Sequence, residues 1–332
     1  MRTRRLVLLT CTLVSVGLGQ RPAAAPAPIR PALLVLNKTD NNLAIVDLKT
    51  FAVAARVPVG TGPHEIVTST DGTLAFAANY GDGPAIGQTI SVIDLATQKE
   101  LRRFDVSPLR RPHGLAFADG KLYFTSETSR LVARYDPASN QIDWMIGTGQ
   151  TSTHMMHATT DGRTLYTANI GGNSISIIER GASPTTANVT TIPVGRGPEG
   201  FDVSPNGKEL WAAHSQDGGI SVIDLATRKV VATIDAKTKR SNRLKFTTDG
   251  ARVLVTDLDA GELVVLDAAT RAVTMRLPIG TSPEGILIDS DGTRAFIAVT
   301  GDNYIAVLDL KSMTVTRKIQ TGGGPDGMAL VR

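Results

Sequence analysis

The chain has 332 residues, 42% of them apolar and 20% charged, with a formal net charge of +4. That length suits one large closed domain or two small ones. The positive excess is small and partly concentrated in the first five residues, so it argues against nucleic acid as a partner.

Residues 1–25 read as an export signal. Arg2, Arg4 and Arg5 form a charged start, 6–18 an apolar run, and 17–19 or 23–25 a small-residue cleavage site. Thr3-Arg4-Arg5 faintly matches a twin-arginine signal, but arginine pairs are common in ordinary leaders, so the general secretory route is expected. The run of about 13 residues falls short of the roughly 20 that a spanning helix needs, and no membrane span is expected after cleavage. Losing the three arginines at the start of the leader takes the charge from +4 to +1 and also removes Cys11, the single cysteine. A periplasmic or secreted chain of this kind rests on its core and not on disulfides. Residues 26–31 read as a flexible tether.

From there on a unit of about forty residues repeats, without a convincing helix. Short apolar runs at 33–37, 43–47 and 54–59 come first. Six units follow from Pro63 to about Ile319, each opening on a short strand and a tight turn. The turns Asp71-Gly72, Asp119-Gly120, Asp161-Gly162, Asn206-Gly207, Asp249-Gly250 and Asp291-Gly292 lie 48, 42, 45, 43 and 42 residues apart, the range of four-stranded propeller blades. The fourth unit shows the strands best: 199–204, 209–213, 220–224 and 229–235, with period-two alternation. Its third turn, Asp224-Leu225-Ala226-Thr227, recurs at 94–97 and, nearly, at 267–270, where Asp and Thr side chains can bond nearby backbone. The segment 325–330 opens a seventh unit whose other three strands are the N-terminal runs. Joining both ends in one blade closes a ring and removes open edges. Residues 32–332 are therefore expected to form a single all-β, seven-bladed propeller of four-stranded antiparallel blades.

LYTAN at 165–169 with NSISII at 173–178, and SVIDLAT from Ser91 and Ser221, resemble the YVTN β-propeller repeat family of exported bacterial and archaeal proteins. The resemblance covers about residues 31–332, although the tyrosine-valine-threonine-asparagine string is nowhere intact: 76–79 read FAAN and 211–214 WAAH. It implies the fold. Function it leaves open, because similar propellers include haem-handling proteins, lactonases and plain binding platforms.

Aligning the units on their turns puts two rings of residues on one face. At the start of strand one stand His64, His113, His154, Glu199, Asn242, Glu284 and Asp326; at the end of strand two stand Asn79, Glu127, Asn169, His214, Asp257, Val299 and Asn37. Thirteen of these fourteen are polar, and they hold four of the five histidines. The second blade needs a one-residue deletion to align, which touches His113 and Glu127. A wet channel mouth accommodates polar residues for structural reasons alone, yet a polar concave mouth is also the default binding location.

Three chemistries suit such a ring. His64, His113 and His154 could hold zinc, copper or iron with open positions for water or substrate. One histidine could serve a tetrapyrrole axially. A histidine beside Glu199 or Glu284 could act as general base or acid in lactone opening or a lyase reaction. Met155 and Met156 suggest core more than copper ligands, because 154 and 157 point to opposite sides of a strand. Arg243, read here as the one cation near the channel, could bind an anionic ligand or pair with a ring acid. The longer segment 80–89 is a candidate lid, and 181–191 peripheral decoration. Binding of a small ligand, metal or protein partner without turnover leads, because no complete catalytic set is present. A hydrolase or lyase and a pure interaction scaffold are the alternatives.

Overall fold

A computed structural model describes residues 30–332 apart from 182, 184 and 185; the expected signal, Cys11 and most of the tether lie outside the described residues. Seven four-stranded antiparallel sheets form a propeller, and the only helical element among the described residues is one 3-10 turn, Thr300–Asp302. Numbered from the first whole unit, blades 1 to 6 begin at Pro63, Pro112, Thr153, Pro198, Ser241 and Pro283. Blade 7 joins Pro325–Val331 to Ala32–Asn37, Asn42–Asp47 and Val53–Pro58. Its closing pairing runs from Ala32↔Val331 to Asn37↔Pro325, as the split seventh unit required.

The energetics follow from the alternation. Middle strands are packed on both faces, as in Glu209–His214, where all but the first residue are buried; the outer strand Lys229–Asp235 stays largely exposed. Seven apolar clusters fill the seven gaps between adjacent blades. Leu34, Leu36 and Ile45 of blade 7 meet Ile66 and Ala77 of blade 1, while Leu33 and Val35 meet Phe296 and Ile305 of blade 6. No blade buries its faces alone, so the ring holds as a whole. The turns work as expected: Asp224 Oδ1 accepts from Thr227 N and Oγ1, both at 2.7 Å.

One feature of the backbone positions everything at the mouth. In every blade the first strand carries a register shift just after its opening residue, as between Pro63 and Ile66 or Pro198 and Phe201. Two residues of strand one there oppose one of strand two, a bulge that re-aims side chains. The second bulge residue is glycine in blades 2, 4, 6 and 7, which lets adjacent inner strands touch. A Cβ on Gly200 would lie 2.3 Å from the Asn242 carbonyl oxygen. Gly200→Ala is therefore expected to destabilise by about 1–3 kcal/mol through overpacking, read as a lowered urea midpoint at unchanged m.

Candidate functional site at the channel mouth

All seven bulge residues of the first ring, His64, His113, His154, Glu199, Asn242, Glu284 and Asp326, line one cavity of about 180 Å³. Lys38, Tyr80, Arg240, Arg243 and Leu258 complete its wall.

The histidines form one side. Their ring centroids follow one another at 5.3 Å (His64 to His113) and 3.7 Å (His113 to His154). His64 Nδ1 lies 2.8 Å from the Gly62 carbonyl, which can only accept, so Nδ1 carries the proton and Nε2 is left as an acceptor. His154 Nδ1 is held 2.8 Å from Glu127 Oε2. Its Nε2 and the Nδ1 of His113 are buried without a partner. Burial pushes His64 down to about 4. It holds His113 well below the usual imidazole range, helped by His154 and His64.

The opposite side is ionic. Lys38 Nζ binds Glu284 Oε2 and lies 3.2 Å from Asp326 Oδ2. Apart from that ion pair both Asp326 oxygens are buried and unpartnered. Burial and the Asp326 charge push Glu284 up to about 7, against Lys38. Burial likewise acts on Asp326, but Lys38, Arg243 and His64 outweigh it and keep this carboxyl below its ordinary value.

Across the channel from blade 5, Arg243 Nη2 reaches Glu65 Oε1 of blade 1 at 2.6 Å. Its Nη1 donates to Asn242 Oδ1 at 3.1 Å and lies 3.7 Å from Glu199. Asn242 Nδ2 in turn donates to Glu199 at 2.8 Å. The guanidinium is thus committed to ring acids. It is also not the lone cation of the mouth, since Lys38 and Arg240 stand beside it.

The second ring needs correction. Asn79, Asn169, His214, Asp257, Val299 and Asn37 pair with the strand-one openings, but in blade 2 Ser126 takes that place, not Glu127. Their polar side chains turn into the blades. Asn79 Oδ1 accepts from Gly60 N at 3.0 Å, and its Nδ2 donates to Ser91. Asn169 donates to Ser176 and Asn37 to the Thr321 carbonyl. Asp257 accepts from Lys239 N and Arg240 N, and His214 binds Asp217. Four of the polar set, Asn37, Asn79, Ser126 and Asp257, clasp the backbone entering their own blade. The residue one step further along faces the mouth instead: Lys38, Tyr80 and Leu258 line the cavity, and Glu127 holds His154. Period-two alternation explains the offset.

Three other expectations change. Among the described residues, no group of three or more His, Cys, Asp or Glu is arranged to hold a metal ion. His113 and His154 lie ring against ring, and the acids are engaged by Lys38 and Arg243, so the zinc, copper or iron triad is not formed. The cavity, at about 180 Å³, is smaller than the roughly 300 Å³ at which drug-sized pockets begin and gives the tetrapyrrole reading no support. Residues 80–89 are not a lid: strands Leu74–Asp82 and Ala85–Asp94 simply extend as a hairpin. What that hairpin contributes is Tyr80, whose ring lies 4.6 Å from His64 and whose hydroxyl donates to Glu127 at 3.1 Å. Met155 and Met156 pack in the gaps between blades, as expected.

Fold and mouth together define a seven-bladed propeller with a small, polar, internally ion-paired cavity. The choice-of-anchor I domain model matches residues 130–324, and the chain belongs to that family. No curated protein matches it. Among solved structures it is similar to the Kuenenia stuttgartiensis hydrazine synthase (22% identity, TM-score 0.70, 82% of this chain and 91% of that one). It is also similar to the Pseudomonas aeruginosa periplasmic gluconolactonase PpgL (17%, 0.73, 91% and 99%). A third is the dihydro-heme d1 dehydrogenase NirN (16%, 0.66, 94% and 77%). At these identities the likeness is one of fold.

Proposed function

We infer that this chain is an exported propeller of the YVTN repeat type that binds a small, uncharged, hydroxyl-rich organic molecule at the channel mouth. The leader-like residues 1–25, the repeat strings and a periplasmic structural neighbour support export. One observation carries the ligand class. Lys38 and Arg243 are already neutralised by acids of the cavity, whereas His113 Nδ1, His154 Nε2 and Asp326 Oδ1 want partners. A ligand that supplies hydroxyl groups satisfies those atoms; an anion would have to displace an internal carboxylate.

Lactone opening is the second reading. Glu284, at about 7 and in contact with Lys38, suits a general base that takes a proton from water attacking a carbonyl. The neighbour named as a gluconolactonase points the same way.

Titration calorimetry with sorbitol, glucose, gluconate and glucono-1,5-lactone tests both. Saturable binding of the neutral polyols is expected, with gluconate at least about tenfold weaker. His113→Phe, which keeps the ring and deletes the nitrogens, should abolish it. Equal affinity for gluconate, or undiminished binding by His113→Phe, would overturn the reading. Acid release from the lactone that disappears in Glu284→Gln would select turnover.

A further inference from the structure

A second cavity, on the rim and away from the channel, stands where blades 5, 6 and 7 place their own cations, while blades 2 and 3 carry Met145 and Thr191 there. By strand pairing, Arg56 of blade 7, Arg276 of blade 5, Lys318 of blade 6 and Thr233 of blade 4 hold the same outer-strand position. Arg56 donates to the Thr321 carbonyl and Arg276 to the Ala236 carbonyl, each in the connection entering its blade. In blade 6 the Lys318 ammonium lies 4.3 Å over the Tyr304 ring, whose hydroxyl donates to the Ile279 carbonyl at 2.6 Å. Threonine is too short to do any of this. Blade 4 instead has a cavity of about 400 Å³, lined by Val194, His214, Asp217, Thr233, Ile234 and Asp235 among others. Val194 stands four residues before Pro198, as Thr321 does before Pro325 and Ile279 before Pro283.

His214 makes this cavity more than a gap. It is 1% exposed, and its Nδ1 is 2.9 Å from Asp217 Oδ1, which fixes the proton on Nδ1. Nε2 is then an acceptor, buried and without a partner. Blade closure does not call for it. Asp217 already accepts from the incoming Arg196 N, and blades 1 and 3 close with an asparagine that donates to a serine.

We propose that this cavity binds the guanidinium group of a ligand, in place of the arginine that blades 5 and 7 supply from their own strands. The guanidinium donates to His214 Nε2 and to the Val194 carbonyl, and Asp217 and Asp235 match its charge. Asp235 now pairs at 2.8 Å with Lys237, an exposed contact that exchanges readily. An alkyl stem lies against Ile234 and Val230. The group could come from a free alkylguanidine or from an arginine side chain of a peptide.

The test uses butylguanidinium, the neutral isostere butylurea, and acetyl-Gly-Arg-Gly-amide, followed by calorimetry and the His214 ¹⁵N resonances. Butylguanidinium should bind saturably, at least about tenfold tighter than butylurea, and move the Nε2 signal. Thr233→Arg should fill the slot from within, raise thermal stability and weaken the probe about tenfold or more. Should that variant not fold, His214→Asn, which restores the side chain of blades 1 and 3, carries the same loss. Tighter binding of the peptide than of butylguanidinium assigns the source to a protein partner; the reverse assigns it to a small molecule. Equal affinity for butylurea, an unmoved His214 signal, or full binding by folded Thr233→Arg overturns the proposal.

Discussion

Arg243→Met is expected to cost about 3–5 kcal/mol of stability at neutral pH, because it leaves buried carboxylates without their counter-charge. The guanidinium spans the channel to Glu65 at 2.6 Å, approaches Glu199 at 3.7 Å and is itself only 6% exposed. Burial already raises the Glu65 carboxyl, and Arg243 is what opposes this. Without it Glu65 should rise further and take up a proton, so the variant should regain stability as pH falls. The double variant Glu65→Gln/Arg243→Met should recover most of the loss at neutral pH, since a neutral pair of similar volume needs no compensation. Urea unfolding of the two variants at pH 5 and 8 decides it. A double variant as weak as the single one would assign the loss to packing across the channel and not to charge.

That ion pair was also the part of the site hardest to read from sequence. The fold was legible because Asp-Gly and Asn-Gly turns punctuate the chain at blade spacing, and because 325–330 needs three strands that only 32–59 can give. The first ring was legible too, since a proline or small residue precedes each of its members in the same place. Strand two misled by one residue. Asn37, Asn79 and Asn169 recur at matching positions, but recurrence there marks bonding within the blade: Asn37 and Asn79 clasp entering backbone and Asn169 holds Ser176. The side chains that reach the mouth, Lys38 and Tyr80, stand one step on and share no residue type, as ligand-facing positions need not. Glu65 and Arg243 occupy the second residue of the bulge, a position that ideal alternation does not contain. Ser126 and Glu127 show the same limit: only the pairing Pro112↔Ser126 fixes which of the two points inward.

Acidification from pH 6.5 towards 4 is expected to destabilise the protein, with the buried imidazoles as the cause. His64, His113, His157 and His214 all lie below their ordinary value, chiefly through burial. The unfolded chain therefore binds more protons than the folded one in this window, and stability rises with pH up to about 6.5. For His64, lowered to about 4, the contribution is about 3 kcal/mol. Two groups at the mouth oppose it. Glu284, raised to about 7, and Glu65, also raised, disfavour the folded state as pH climbs above the ordinary carboxyl value of 4.5. Glu284 alone is of the size of His64, so those two nearly cancel. What remains is His113, held well below the imidazole range in the same cavity, with His157 and His214 outside it, against Glu65, and these three histidines are expected to set the sign. Asp326, lowered by Lys38 and Arg243 despite burial, acts only below about pH 4. Thermal midpoints at half-unit steps from pH 4 to 8 should therefore rise and level off near pH 6.5. The curve should be shallower for His113→Phe, which has no imidazole to charge. It should be steeper between pH 4.5 and 7 for Glu284→Gln, which removes the opposing carboxyl. A wild-type midpoint that climbs on acidification to pH 5 would mean that Glu284 and Glu65 outweigh the buried imidazoles. A His113→Phe curve parallel to wild type would mean that His113 is not held neutral in the folded protein, and with that its acceptor role at the mouth would fall.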